Sequence, residues 1–105
     1  LVLCSETIRP MSPVRVYPIG YFAKRDGNSM DEKILAVPFG DPVYNSYHDV
    51  SDLPAHIAEE IMHFFDVYKG LEGDKETEIA GAYGRDEALK IIQKCYDAYI
   101  EKFCR

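Results

Sequence analysis

The chain is 105 residues long, 47% apolar and 29% charged, with a formal net charge of −6. That length allows one modest core, so a single domain over residues 1–105 is expected. The acidic balance, with no basic stretch against it, excludes a nucleic-acid backbone as the main partner. No apolar run approaches the ~20 residues of a membrane span, so a soluble protein without membrane contact is expected.

The sequence begins at Leu1 without an initiator Met or a leader pattern, and Val2-Leu3 reads as the end of a strand already under way, which is the expectation for a fragment. Ser5 to Pro13 is a polar connection in which Pro10 and Pro13 forbid a helix. From Val14 the alternation of Val14, Val16 and Pro18 with Arg15, Tyr17 and Ile19 predicts a strand, bent or bulged at Gly20. Two apolar runs, Tyr21 to Ala23 and Ile34 to Val37, flank a Gly27-Asn28-Ser29 turn and predict a β-hairpin with a loop of residues 27 to 30. In that register Asp26 pairs directly with Asp31. Ile34 to Val37 is apolar on both faces, which places it centrally in a sheet or barrel.

Phe39 to Asp49 is an irregular, turn-rich connection whose Tyr44 and Tyr47 cover core. Ser51 or Asp52 then caps a helix with Pro54 in its first turn, and Leu53, Ile57, Ile61, Phe64, Phe65 and Tyr68 form one apolar stripe ending near Gly70. After a polar turn from Glu72 to Lys75, a short strand is predicted over Thr77 to Ala80. A last helix from about Asp86 carries Ala88, Ile92, Cys95, Tyr99 and Phe103 on one stripe, with Leu89, Tyr96 and Ile100 beside it. Strands followed by packing helices make the fold class α+β, with two α-helices.

Cys4, Cys95 and Cys104 are odd in number and lack CxxC spacing, so reduced thiols are expected, with Cys95 in the core. His48, His56 and His63 form no HxxxH or HExxH pair and read as surface histidines on helices. An EF-hand reading of the Asp26 turn fails, because Asp31 replaces the required glycine and Val37 the bidentate glutamate. No nucleophile elbow, phosphate loop or dinucleotide pattern is present, so any reaction should be metal-assisted.

Two constellations remain. Side chains two apart on a strand share a face, so Lys33 joins Asp31 and Lys24 joins Asp26. Opposed carboxylates repel unless a cation lies between them, and two carboxylates with an ammonium suit Mg²⁺ holding a phosphate oxygen. The plainer reading is a solvated charged turn. The second constellation is the helix end Tyr68-Lys69 with Lys75, where the apolar stripe explains Tyr68 and the helix dipole Lys69.

Side by side, the motifs Asp26-x4-Asp31-x-Lys33-Ile34-Leu35-Ala36-Val37-Pro38, Asp49-Val50-x-Asp52-Leu53-Pro54 and His63-Phe64-Phe65-x2-Tyr68-Lys69-x-Leu71-Glu72-x2-Lys75 resemble the C-terminal part of a soluble family I inorganic pyrophosphatase. The resemblance covers nearly the whole sequence. It implies a partial OB-like antiparallel β-barrel packed by two α-helices, and several Mg²⁺ ions per active site. A metal-activated water then splits pyrophosphate into two orthophosphates. It implies Asp26 and Asp31 as Mg²⁺ ligands, and Lys33, Tyr68, Lys69 and Lys75 as phosphate-binding residues. Asp31 and Lys33 then carry the catalytic roles, and a homo-oligomer, dimer or hexamer, is implied. The family's Asp-x-Asp-Pro-x-Asp loop has no counterpart here, since Asp41-Pro42 lacks both flanking aspartates. The competing expectation is therefore an inactive fragment that binds metal and phosphate weakly or associates with another chain.

Overall fold

Ile19 to Lys24 form an unbroken buried run, and only a strand covered on both faces and both edges can be buried in this way. The computed structural model describes residues 1–68 and 77–104, with the side chains of Asp26, Thr77 and Glu78 outside the description. In chain order it contains β1 (Val16–Asp26), β2 (Ser29–Pro38), a 3-10 turn (Val50–Asp52), α1 (Ala55–Val67), β3 (Thr77–Gly84) and α2 (Arg85–Phe103). The sheet has three strands in the order β2-β1-β3, both pairings antiparallel, so β1 is central. With the two helices this is an α+β fold, as the residues predict. Among the described residues the sheet is three-stranded and open, as a partial barrel is.

The bulge expected near Gly20 is present. Pro18 pairs with Ala36 and Gly20 with Leu35, so Ile19 is an extra residue on β1. The bulge switches parity, which puts Tyr17 and Ile19 on the same face as Phe22 and Lys24. On that face Ile19, Phe22, Leu35 and Val37 pack with Leu53, Ile61 and Phe65, so α1 and the 3-10 turn cover it. The opposite face carries Tyr21 and Ala23 against Ala88, with Ile34 and Ile91 alongside, under the first turns of α2.

β2 is an outer strand of this sheet, but its free side is partly covered. The segment before Cys4 lies along its outer side, with a parallel bridge between Val2 and Ala36 and a hydrogen bond of 2.8 Å from Leu3 N to Ala36 O. Of the strand expected at Val2-Leu3 only this isolated bridge is present, and Ile34 to Val37, expected to be central, lie on an outer strand, with Leu35 to Val37 buried by packing on its faces. Tyr44 and Tyr47 pack against the core as predicted.

The helices depart from expectation at their ends. Asp49, rather than Ser51 or Asp52, caps the 3-10 turn, and Pro54 is the N-cap of α1 with no side-chain cap. α1 ends at Val67, and the expected stop at Gly70 lies outside the described residues. Phe64 is 49% exposed despite its place in the predicted stripe, because Ile61 and Phe65 take the inward positions. β3 extends to Gly84 rather than stopping at Ala80, and α2 begins at once with Arg85. Along α2, Ala88 is the buried residue, while Tyr96, Tyr99 and Phe103 are 60%, 58% and 63% exposed. Cys95 is likewise exposed, against the core place expected for it, since its turn of α2 lies beyond the Ala88 contact with the sheet. No helix among the described residues is long and apolar enough to cross a membrane.

Candidate active site

The β1–β2 hairpin is tighter than the sequence suggests. Asp26 pairs with Ser29, leaving a two-residue turn of Gly27 and Asn28, and Gly27 has φ +65° while Asn28 does not reach positive φ. Gly at the first central position with positive φ there alone is the type II′ pattern. Asp31 therefore faces Lys24, and the expected direct pairing of Asp26 with Asp31 does not occur. The reason is that backbone pairing continues through Met30 and Ser29, which lie outside the apolar run of Ile34 to Val37, where the apolar runs alone suggest a longer loop. The slip is two residues, and side chains alternate with period two, so positions 24, 26, 31 and 33 remain in one face of the ribbon.

On that face the Lys33 ammonium pairs with the Asp31 carboxylate at 2.5 Å, with the two side chains 30% and 45% exposed. A pair this open to water stabilises the fold by only ~0–1 kcal/mol. It leaves a carboxylate and an ammonium accessible beside each other. Lys24 is different: it is 1% exposed, and its Nζ has no hydrogen-bond partner among the described residues. The Lys24 Nζ instead lies 4.1 Å from the centroid of the Tyr68 ring and 5.8 Å from that of Phe65. A desolvated cation–π contact returns ~2 kcal/mol, whereas burying an ammonium costs several kcal/mol even after relaxation. The cation is thus under-compensated by its described surroundings.

Tyr68 reaches this place because it is the C-cap residue of α1, still in helical conformation, its N–H donating to Phe64 O at 3.0 Å. Its ring stacks on Phe64 at 5.3 Å and meets Phe65 edge-on at 6.1 Å. Phe65 in turn packs over Phe22 at 6.3 Å. The apolar stripe of α1 thereby delivers Tyr68 to the sheet face that holds Asp31 and Lys33, joining the two constellations through Lys24. Lys69 and Lys75 lie outside the described residues, as does the Asp26 side chain.

The donor set has the chemistry of a hard-cation site. Mg²⁺ is commonly held by one or two carboxylates together with waters and phosphate oxygens, and Asp31 offers a carboxylate that is 45% exposed and anchored on a strand. Among the described residues no group of three or more His, Cys, Asp or Glu side chains is gathered that could hold a metal by itself. His56 and His63 are exposed on α1 as expected, while His48 lies in the connection before the 3-10 turn, stacked on Tyr17 at 6.1 Å. A cavity of about 410 Å³ bordered by Tyr17, Phe39, His48, Arg85 and Leu89 sits at the start of β1, away from the hairpin end that carries Asp31.

Two further carboxylates build the scaffold, and the sequence reading missed both roles. Asp41, 6% exposed, accepts from Ser5 N (2.6 Å), Ser5 Oγ (3.0 Å), Val43 N (2.9 Å) and Tyr44 N (2.9 Å). Burial alone would raise its pKa, but these hydrogen bonds outweigh it and hold the carboxyl below its ordinary value. Asp49 accepts from Ser51 N at 3.1 Å in a capping box with Asp52, and its other oxygen accepts from Arg85 N at 3.0 Å. The Arg85 hydrogen bond, then that of Ser51, lowers the pKa of Asp49. It thus caps a second helix across the fold. A signal for it was present in Gly84: a glycine just before a helix leaves room for a cap supplied from elsewhere, and a Cβ there would lie 2.8 Å from Asp49 Oδ2.

The comparisons with known proteins agree with this architecture. The family model "Inorganic pyrophosphatase" matches residues 1–100. An inorganic pyrophosphatase of Methanosarcina acetivorans is 37% identical over 102 residues, covering 97% of this chain and 60% of the relative. One from Nanoarchaeum equitans is 39% identical over 101 residues, covering 94% and 63%. The crystal structure of the Thermus thermophilus inorganic pyrophosphatase superposes with a TM-score of 0.86 at 31% identity, covering 94% of this chain and 58% of that one. The chain spans about 60% of the length of the curated relatives it matches. A family match that runs through residues 1–100 means that the chain belongs to the inorganic pyrophosphatase family.

Proposed function

We propose that the full-length protein hydrolyses inorganic pyrophosphate to two orthophosphates in a Mg²⁺-dependent reaction, with Asp26 and Asp31 as metal ligands. The observation that carries this reading is the exposed Asp31–Lys33 pair on the sheet face to which α1 delivers Tyr68. Bound Mg²⁺ would supply an acidified water as nucleophile and neutralise charge on the leaving phosphate. Asp31 would hold the cation, and Lys33 beside it would place its ammonium on a phosphoryl oxygen, where it stabilises developing charge. Tyr68 donates its hydroxyl to another phosphoryl oxygen, and Lys69 and Lys75 bind the remaining phosphate charge.

The reading extends to a cytoplasmic homo-oligomer, dimer or hexamer, that contacts neither nucleic acid nor membrane; free Cys4, Cys95 and Cys104 suit a reducing compartment. Residues 1–105 act in it as one domain. For the isolated 105-residue segment, which spans about 60% of the relatives' length, we propose weak metal and phosphate binding without turnover. The test is orthophosphate release from pyrophosphate by the full-length protein with Mg²⁺ and with a chelator. Release that the chelator abolishes is expected; no release in Mg²⁺ contradicts the proposal.

A further inference from the structure

Lys24 is a buried lysine near the hairpin end of the central strand, without a hydrogen-bond partner among the described residues, its Nζ 4.1 Å from the centroid of the Tyr68 ring. Its cross-strand neighbour Asp31 is engaged by Lys33 instead. A methylene chain ending in an ammonium is a poor core filler, since an apolar residue of similar length would fill the same volume without desolvating a charge. Such a group persists most economically where an anion arrives to balance it. The positive charge lies behind the one aromatic hydroxyl that α1 brings to this face beside Asp31 and Lys33. A cation on the face of a phenol ring is held by the ring quadrupole and fixes the ring's orientation.

We infer that Lys24 is a positioning residue for Tyr68, holding its ring so that the hydroxyl meets a phosphate oxygen, with the Lys24 charge balanced by the bound polyanion. The inference rests on the phosphate-site reading given under Proposed function, and adds to it a residue that acts from beneath the site. The two are separable because phosphate binding and turnover are measured independently.

The experiment uses the full-length protein and inorganic phosphate as probe, with Lys24→Met, Lys24→Arg, Tyr68→Phe and the double variant Lys24→Met/Tyr68→Phe. Lys24→Met should weaken phosphate binding and raise KM for pyrophosphate by about tenfold, the loss expected for one charge-assisted contact, while kcat changes by less than about threefold. Its denaturation midpoint should equal or exceed that of the wild type, because a buried ammonium without a hydrogen-bond partner among the described residues has been removed. Lys24→Arg should recover most of the affinity. Tyr68→Phe should weaken binding by about fivefold alone and by less than about twofold in the Lys24→Met background, the non-additivity expected of residues acting as a unit. Phosphate affinity unchanged in Lys24→Met, or an equal Tyr68→Phe loss in both backgrounds, overturns the inference. If Lys24→Met does not fold, Lys24→Gln makes the same comparison. Lys24-dependent phosphate binding without pyrophosphate hydrolysis sinks the hydrolase reading and leaves this one standing; hydrolysis with affinity indifferent to Lys24 does the reverse.

Discussion

Asp49 and Gly84 form a pair whose energetics follow from their geometry. One Asp49 oxygen caps the 3-10 turn through Ser51 N, and the other caps α2 through Arg85 N. Losing a side-chain cap costs ~1 kcal/mol (range 0.5–2), so Asp49→Ala, which removes two, should cost about 2 kcal/mol. With a urea m-value of ~2 kcal/mol/M that is a fall of about 1 M in the denaturation midpoint of the full-length protein. Gly84 has φ −80°, so no left-handed backbone is involved, and only space matters. An added Cβ would lie 2.8 and 3.2 Å from the two Asp49 carboxylate oxygens and displace them from Arg85 N. Gly84→Ala should therefore cost ~1–2 kcal/mol in the wild type by loss of that cap. In an Asp49→Ala background nothing remains to displace, and the change should be near neutral, helped by the ~0.4–1 kcal/mol that Gly→Ala gains by restricting the unfolded chain. The double-mutant cycle by urea denaturation should show a coupling of about 1–2 kcal/mol. Additive costs would mean that Asp49 does not cap α2 through the space Gly84 leaves.

Three further expectations can be checked on the full-length protein. Phe65→Ala, which removes the residue joining Phe22, Tyr68 and Lys24, should lower unfolding free energy by ~3–5 kcal/mol in denaturant titration; a loss below about 1 kcal/mol contradicts the core assignment. Gly20→Ala puts a Cβ 2.5 Å from Tyr83 O and 2.9 Å from Val50 Cβ, and with backbone as the obstacle it should cost ~1–3 kcal/mol, whereas a neutral result denies the close β1–β3 approach at the bulge. Asp41 has a folded-state pKa below its ordinary 3.8. Its contribution is therefore full above that value and lost as pH falls through the lower folded-state value, so the stability gap between wild type and Asp41→Asn should shrink from about pH 5 to about pH 2. A gap independent of pH in that range would show that the carboxylate is not held by these hydrogen bonds.

Much of the scaffold was legible because it rests on local patterns. The α1 stripe names Leu53, Ile61 and Phe65, all of which are buried, and the glycine at position 20 marks the bulge that reorients β1. Periodicity says which side of a helix is apolar, but not how far the sheet extends beneath it. That is why the α2 stripe runs on to Phe103, and Cys95 on it reads as core, while the contact with β1 is made by Ala88 near its start. The strand at Thr77 read short because Gly81 and Gly84 look like breakers, yet both are tolerated at register positions opposite Ala23 and Gly20. The hairpin register was misjudged by two residues because hydrophobicity marks apolar runs, whereas pairing is a backbone property that continues to the turn glycine. The face survived the error through the period of two, so Asp31 and Lys33 were placed together correctly. Lys24 was seen only as a neighbour on that face, because burial of a lysine becomes visible only once β1 is known to be central and α1 to end above it.

Alternation along β2 also supplies the control for the central claim, since Glu32 is next to Asp31 but belongs to the opposite face and is exposed. The deciding measurement is kcat/KM for pyrophosphate hydrolysis in Mg²⁺ by the full-length protein, its Asp31→Asn variant and its Glu32→Gln variant. The account predicts a loss of ~10²–10³ for Asp31→Asn, the scale of removing one preorganised electrostatic group, and a change within about twofold for Glu32→Gln. Unchanged hydrolysis in Asp31→Asn, or an equal loss in Glu32→Gln, would contradict it.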